Sequence, residues 1–186
     1  MASPGAPRRF KVLDGLALIA ATAVGLSLVR LTEVDWSFPY WPRQPMRFLL
    51  ASNMIVRAVA LILVCLAAAV LACGLVPAGP PRRWRLREPG LLGCVCVCAT
   101  APLPWAWHHT LRLVGLNPDI NINQLLHQWL DGASSAVFLC WAALLLTGRW
   151  RPAPSWTNHA GHAICIMLLA LELWMRACLV ILYATR

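Results

Sequence analysis

Charged side chains are scarce in this chain. Only 12% of its 186 residues are Asp, Glu, Lys or Arg, and seven are acidic. Soluble domains carry about 25% charged residues, so a soluble globular domain is excluded. Lysine is almost missing: Lys11 stands alone among sixteen basic residues, the others being Arg. Recognisable chemistry is missing too. There is no Cys-x-x-Cys-His run for haem attachment and no EF-hand spacing. Nor is there a nucleophile–base pattern, or the internal repeat that usually marks secondary transporters.

What is abundant is apolar sequence, 60% of the chain, gathered into five runs. A helix needs about 20 apolar residues to cross a hydrocarbon layer roughly 30 Å thick. The runs cover residues 12–31, 54–76, 89–107, 125–148 and 160–183. They predict an all-α polytopic membrane protein, a single membrane domain over 1–186 with five transmembrane helices, or four if the third run does not span. In the first run Ala17, Ala21 and Gly25 recur every four residues, a stripe of small side chains that lets another helix approach closely. That run continues to Val29 with Asp14 in its core, which fits a retained anchor better than a cleaved signal peptide. The second run is stopped by Pro77, Pro80 and Pro81. The third is the weakest: Pro102 and Pro104 interrupt it, and Trp105 and Trp107 follow as interfacial aromatics.

The net charge of +9 sits in short clusters between apolar runs, the distribution of orientation signals and not of a nucleic-acid-binding face. With the N-terminus inside, nine basic residues flank the inner ends of the runs and six the outer ends. The excess predicts a cytoplasmic N-terminus and an external C-terminus, with Arg82, Arg83, Arg85 and Arg87 as the topology anchors. In the first external loop, Trp36, Phe38, Tyr40 and Trp41 among prolines predict anchoring at the headgroup boundary. In the second, Asn121 or Asn123 is expected to cap the following helix.

All eight cysteines fall inside apolar runs, where a free thiol behaves as a small hydrophobe. Cys94 and Cys98 would share a helix face, with Cys96 nearly opposite. Among the histidines, adjacent His108 and His109 point about 100° apart on a helix. His159 and His162 are three apart with no third ligand beside them. No metal site and no cofactor is expected.

The sharpest feature is Glu172 and Arg176 within AICIMLLALELWMRACLVILYA. A charge at the bilayer centre costs about 2.5–3.5 kcal/mol even on lenient insertion scales, so such residues turn inward and find partners. Four residues apart with the acid first, these two can form an intramembrane ion pair on one helix face. Asp131 and Arg57, nearer the outer boundary, are candidates to join them.

Three stretches, RRFKVLDGLALIAATAVGLSLVR (8–30), RLREPGLLGCV (85–95) and GRWRPAPSW (148–156), resemble small multi-span membrane proteins of planctomycete-type bacteria. The resemblance implies a bacterial inner-membrane protein and carries no activity or cofactor. The expectation is therefore a non-enzymatic packing, assembly or accessory subunit. Its partners would be the lipid bilayer and another membrane protein, not nucleic acid. The rivals are a small transporter or ion pathway using Glu172 and Arg176, and a membrane-embedded haem or metal enzyme using the histidines. A polar cavity around Glu172 would favour transport; a dry ion pair would favour the structural role.

Overall fold

The computed structural model describes residues 10–31, 44–75, 88–115, 122–150 and 155–184, with side chains from Met54 in the second stretch, from Gln124 in the fourth, and in the fifth at all positions but 182 and 183. The regular elements among them are all helices: α1 (Val12–Leu31), α2 (Gln44–Leu75), α3 (Pro89–Thr100), α4 (Leu103–Leu113), α5 (Ile122–Leu146) and α6 (Trp156–Ala184). Five helical stretches are long and apolar enough to cross a membrane, the third being α3 and α4 end to end over Pro89–Leu113. This architecture fits an integral membrane protein.

Local sequence explains where the helices start and stop. The α1 entry is fixed by the Asp14 carboxylate, which accepts from the Lys11 amide at 2.9 Å and so satisfies a donor that has no intrahelical partner. Helix α2 begins ten residues ahead of the apolar run, with Pro45 in its first turn, where a missing amide forfeits no hydrogen bond. Pro102 divides the third run into α3 and α4 without ending it, because Pro102 and Pro104 occupy the start of α4. Helix α5 closes on Gly148 at φ +63°, the left-handed cap that glycine adopts freely. Helix α6 begins at Trp156, four residues before the apolar run, because Ser155 caps it.

Helix α3 occupies the middle of the bundle, against α2, α5 and α6, while α1 packs on α2 alone among the described residues. The core side chains follow helical spacing: Val56, Ala60, Leu63, Ala67 and Val70 on α2 meet Leu91, Cys94 and Val97 on α3 and Ala133 and Val137 on α5. Outside, large apolar side chains such as Val12, Ile19, Leu139, Leu146 and Val180 are exposed. A soluble protein rarely presents so continuous an apolar exterior. In a membrane, where lipid tails are as apolar as these side chains, helix association would rest on close packing and hydrogen bonds instead of on burial from water.

The α1–α2 contact uses the small-residue stripe. Gly25 is buried, Ala17 and Ala21 are half-buried, and a Cβ on Gly25 would lie 2.9 Å from the Ile62 Cα. Gly25→Val therefore has to push α1 away from α2. Overpacking of this kind costs about 1–3 kcal/mol, and thermal unfolding in detergent should show a lower midpoint. An unchanged midpoint would mean that α1 is not held there.

Candidate functional site

Two groups of polar side chains lie among the apolar helices, one at each end of the bundle. The first gathers where α3 and α6 both start. Ser155 Oγ accepts from the Asn158 amide at 3.2 Å, capping α6, and donates to Glu88 Oε2 at 2.7 Å. Glu88 is also the residue that precedes α3. Its carboxylate thus sits at two helix N-termini, where the aligned peptide dipoles favour negative charge.

One turn further in, Asn158 is fully buried, and its Oδ1 accepts from the Gly90 amide at 2.9 Å. A side chain of α6 thereby satisfies a first-turn donor of α3. The helices come this close because both carry glycine: a Cβ on Gly90 would collide with the Asn158 carbonyl, and one on Gly161 with the Gly90 carbonyl. Trp141 Nε1 donates to the Pro89 carbonyl at 3.1 Å and ties in α5. The Asn158 carbonyl also accepts from His162 Nδ1 at 2.8 Å, which places the proton on that nitrogen. The His162 ring lies 5.3 Å from Trp141 and 5.5 Å from Trp150, closing an aromatic cluster over the junction. Sequence reasoning missed this junction. Its signals were Ser155-Trp-Thr-Asn158 ahead of an apolar run, a capping pattern, and glycines at 90, 93 and 161 within apolar helices.

The second group lies where α5 begins and α6 ends. Arg176 Nε donates to Glu172 Oε1 at 2.7 Å, and Nη2 donates to Asp131 Oδ1. One guanidinium thus links a carboxylate of its own helix to one of α5, in the fork geometry that suits arginine. Glu172 is 12% exposed, but Arg176 and Asp131 are 61% and 58% exposed, on the outside of the α5–α6 seam. Arg57 Nε is buried and finds no partner among the described residues. Arg57 and His127 line a cavity of about 10 Å³ with Val56, Ala60, Leu126, Leu130 and Met175, room for about one water. Two arginines and two carboxylates make the group neutral overall.

The remaining sequence candidates stay dispersed. His108 is buried, His109 and His159 are exposed, and no three His, Cys, Asp or Glu side chains among the described residues form a metal site. All eight cysteines are free thiols, with Cys73, Cys94 and Cys165 buried and the others half-buried. Arg82, Arg83, Arg85 and Arg87, the aromatic residues 36–41 and the side chains of Asn121 and Asn123 lie outside the described residues.

The Asn158 junction makes a direct prediction. Asn158→Leu keeps the side-chain bulk but removes the acceptor, leaving the buried Gly90 amide unsatisfied at a cost of about 1–3 kcal/mol. Hydrogen exchange should quicken at the start of α3, and the unfolding midpoint should fall. Unaltered exchange there would show that the bond does not hold α3. Compared with known proteins, the chain matches no family model, no curated protein and no solved structure.

Proposed function

We propose that this chain is a non-enzymatic membrane protein, a packing, assembly or accessory subunit of a bacterial inner membrane, with its N-terminus inside and its C-terminus outside. The observation that carries this reading is the Asp131–Arg176–Glu172 bridge, in which the charges of two membrane-length helices are engaged with one another. A polar group that must be satisfied within apolar surroundings selects its neighbour helix. Glu88, Asn158 and Trp141 do the same at the opposite end. The five passes and the excess of arginine at the inner ends support the orientation. One observation favours the rival ion pathway: the unpartnered Arg57 Nε beside the small cavity. That cavity is lined mainly by apolar side chains and has room for about one water, whereas a conduit needs a continuous polar route.

Two measurements test the reading. A reporter fused after Arg186 should give an external signal; a cytoplasmic signal would overturn the orientation, through either an inverted five-pass arrangement or a third run that does not cross. Stability separates the bridge from a pathway. Because Arg176 serves two carboxylates, Arg176→Met should be more damaging than Glu172→Gln, which leaves the Asp131 contact in place. Adding Asp131→Asn and Glu172→Gln to Arg176→Met should restore much of the lost thermal stability, since no charge is then stranded. If the single variants are all as stable as the parent, the three residues contact water and transport becomes the better reading.

A further inference from the structure

The outward face of α5 differs from the rest of the exterior. From its start to Ser135 the exposed residues with described side chains are Gln124 and then Gln128, Asp131, Gly132 and Ser135, these last four at the i, i+3, i+4, i+7 spacing of one helix face. Further along, the same face turns apolar with Phe138 and Leu139, and the exposed side of α1 is lined by residues such as Leu16, Ile19 and Leu26. Four polar or small residues in succession are wrong for lipid contact. Asp131 lies nine residues from the start of α5 and Arg176 eight from the end of α6, about 14 Å and 12 Å at the helical rise. A hydrocarbon layer of roughly 30 Å centred on α5 would hold Asp131 roughly 10 Å below its surface. Gly132 adds a second observation. A Cβ there would meet nothing within 4 Å among the described residues, so packing among them gives no reason for glycine. Glycine inside a helix costs about 1 kcal/mol relative to alanine, and small residues in membrane helices allow another helix to approach closely.

We propose that this face docks a second copy of the same chain, related by a two-fold axis along the membrane normal; the proposal rests on the membrane reading above. Charge complementarity identifies the occupant. Arg176 and Asp131 lie side by side at one depth, positive on α6 and negative on α5. A two-fold rotation about the membrane normal brings an identical pair face to face with the order reversed. Each Arg176 then meets the Asp131 of the second copy, the self-complementarity that an isologous interface requires. The bond within one chain uses Asp131 Oδ1 and Arg176 Nη2, leaving Oδ2 and Nη1 for the second copy. Docking would close the two bridges into a ring of charges shielded from lipid, with Gly132 and Ser135 of each copy at the contact.

Cross-linking in intact membranes tests this. Ser135→Cys treated with a short bis-maleimide should give a band at twice 20.5 kDa. The parent, whose native cysteines are buried or half-buried, and Ile19→Cys on the outer side of α1 should not. Gly132→Leu combined with Ser135→Cys should abolish the band. A Cβ at 132 meets nothing within 4 Å among the described residues, and an unchanged unfolding midpoint of Gly132→Leu in detergent checks that the monomer fold is kept. The proposal is overturned if Ser135→Cys gives no product, gives one of another mass, or cross-links equally with Leu at 132. Release of the protein by alkaline washing would instead overturn the membrane reading, and the dimer with it.

Discussion

The hydrogen bond from the Gly90 amide to Asn158 Oδ1 is the contact on which the arrangement of the bundle depends. It joins the start of α3, the helix at the centre, to the start of α6, the longest apolar neighbour it has. Two glycines make it possible. With any side chain at 90 or 161 the backbones could not approach closely enough for Asn158 to reach. The packing of α3 against α2 and α5, including the fully buried Cys94 and Val97, follows from where that first turn is held.

Magnitudes clarify what such bonds do. An interhelical hydrogen bond within a membrane contributes about 0.6 kcal/mol on average, rarely above roughly 1.7. A polar group left without a partner in apolar surroundings costs several times more. Asn158, Glu88, Trp141, Asp131, Glu172 and Arg176 therefore exclude wrong helix pairings more than they add stability to the right one. The stabilising mass comes from dispersion along close-packed faces such as Val56, Ala60, Leu63, Ala67 and Val70. The two polar groups pin opposite ends of α6, so its register against α3 and α5 is specified twice.

Legibility in the sequence follows the same division. The five membrane-length helices were readable because hydropathy reports what must avoid water, and the runs match the helices where apolar residues dominate. Helix ends were less readable. Helix α2 starts at Gln44 and α4 continues to Leu113, both through stretches that mix polar with apolar residues and so lack the continuous hydropathy that marks a run. Glu172 and Arg176 were visible as a pair because i, i+4 spacing is local. That Asp131 completes the bridge depends on how α5 packs against α6, across 45 residues of sequence, and no local pattern encodes that packing. Asn158 escaped for a related reason: an uncharged amide near the start of an apolar run is unremarkable until the glycine opposite it is known.

Solid-state NMR of the protein in lipid bilayers, measuring distances between side-chain nitrogens of Arg176 and carboxyl carbons, shows whether the charges of α5 and α6 satisfy one another. Close contacts from Arg176 to both Glu172 and Asp131 are expected, persisting in fully hydrated lipid. A guanidinium that correlates with water or lipid phosphate and with neither carboxylate would contradict that pairing.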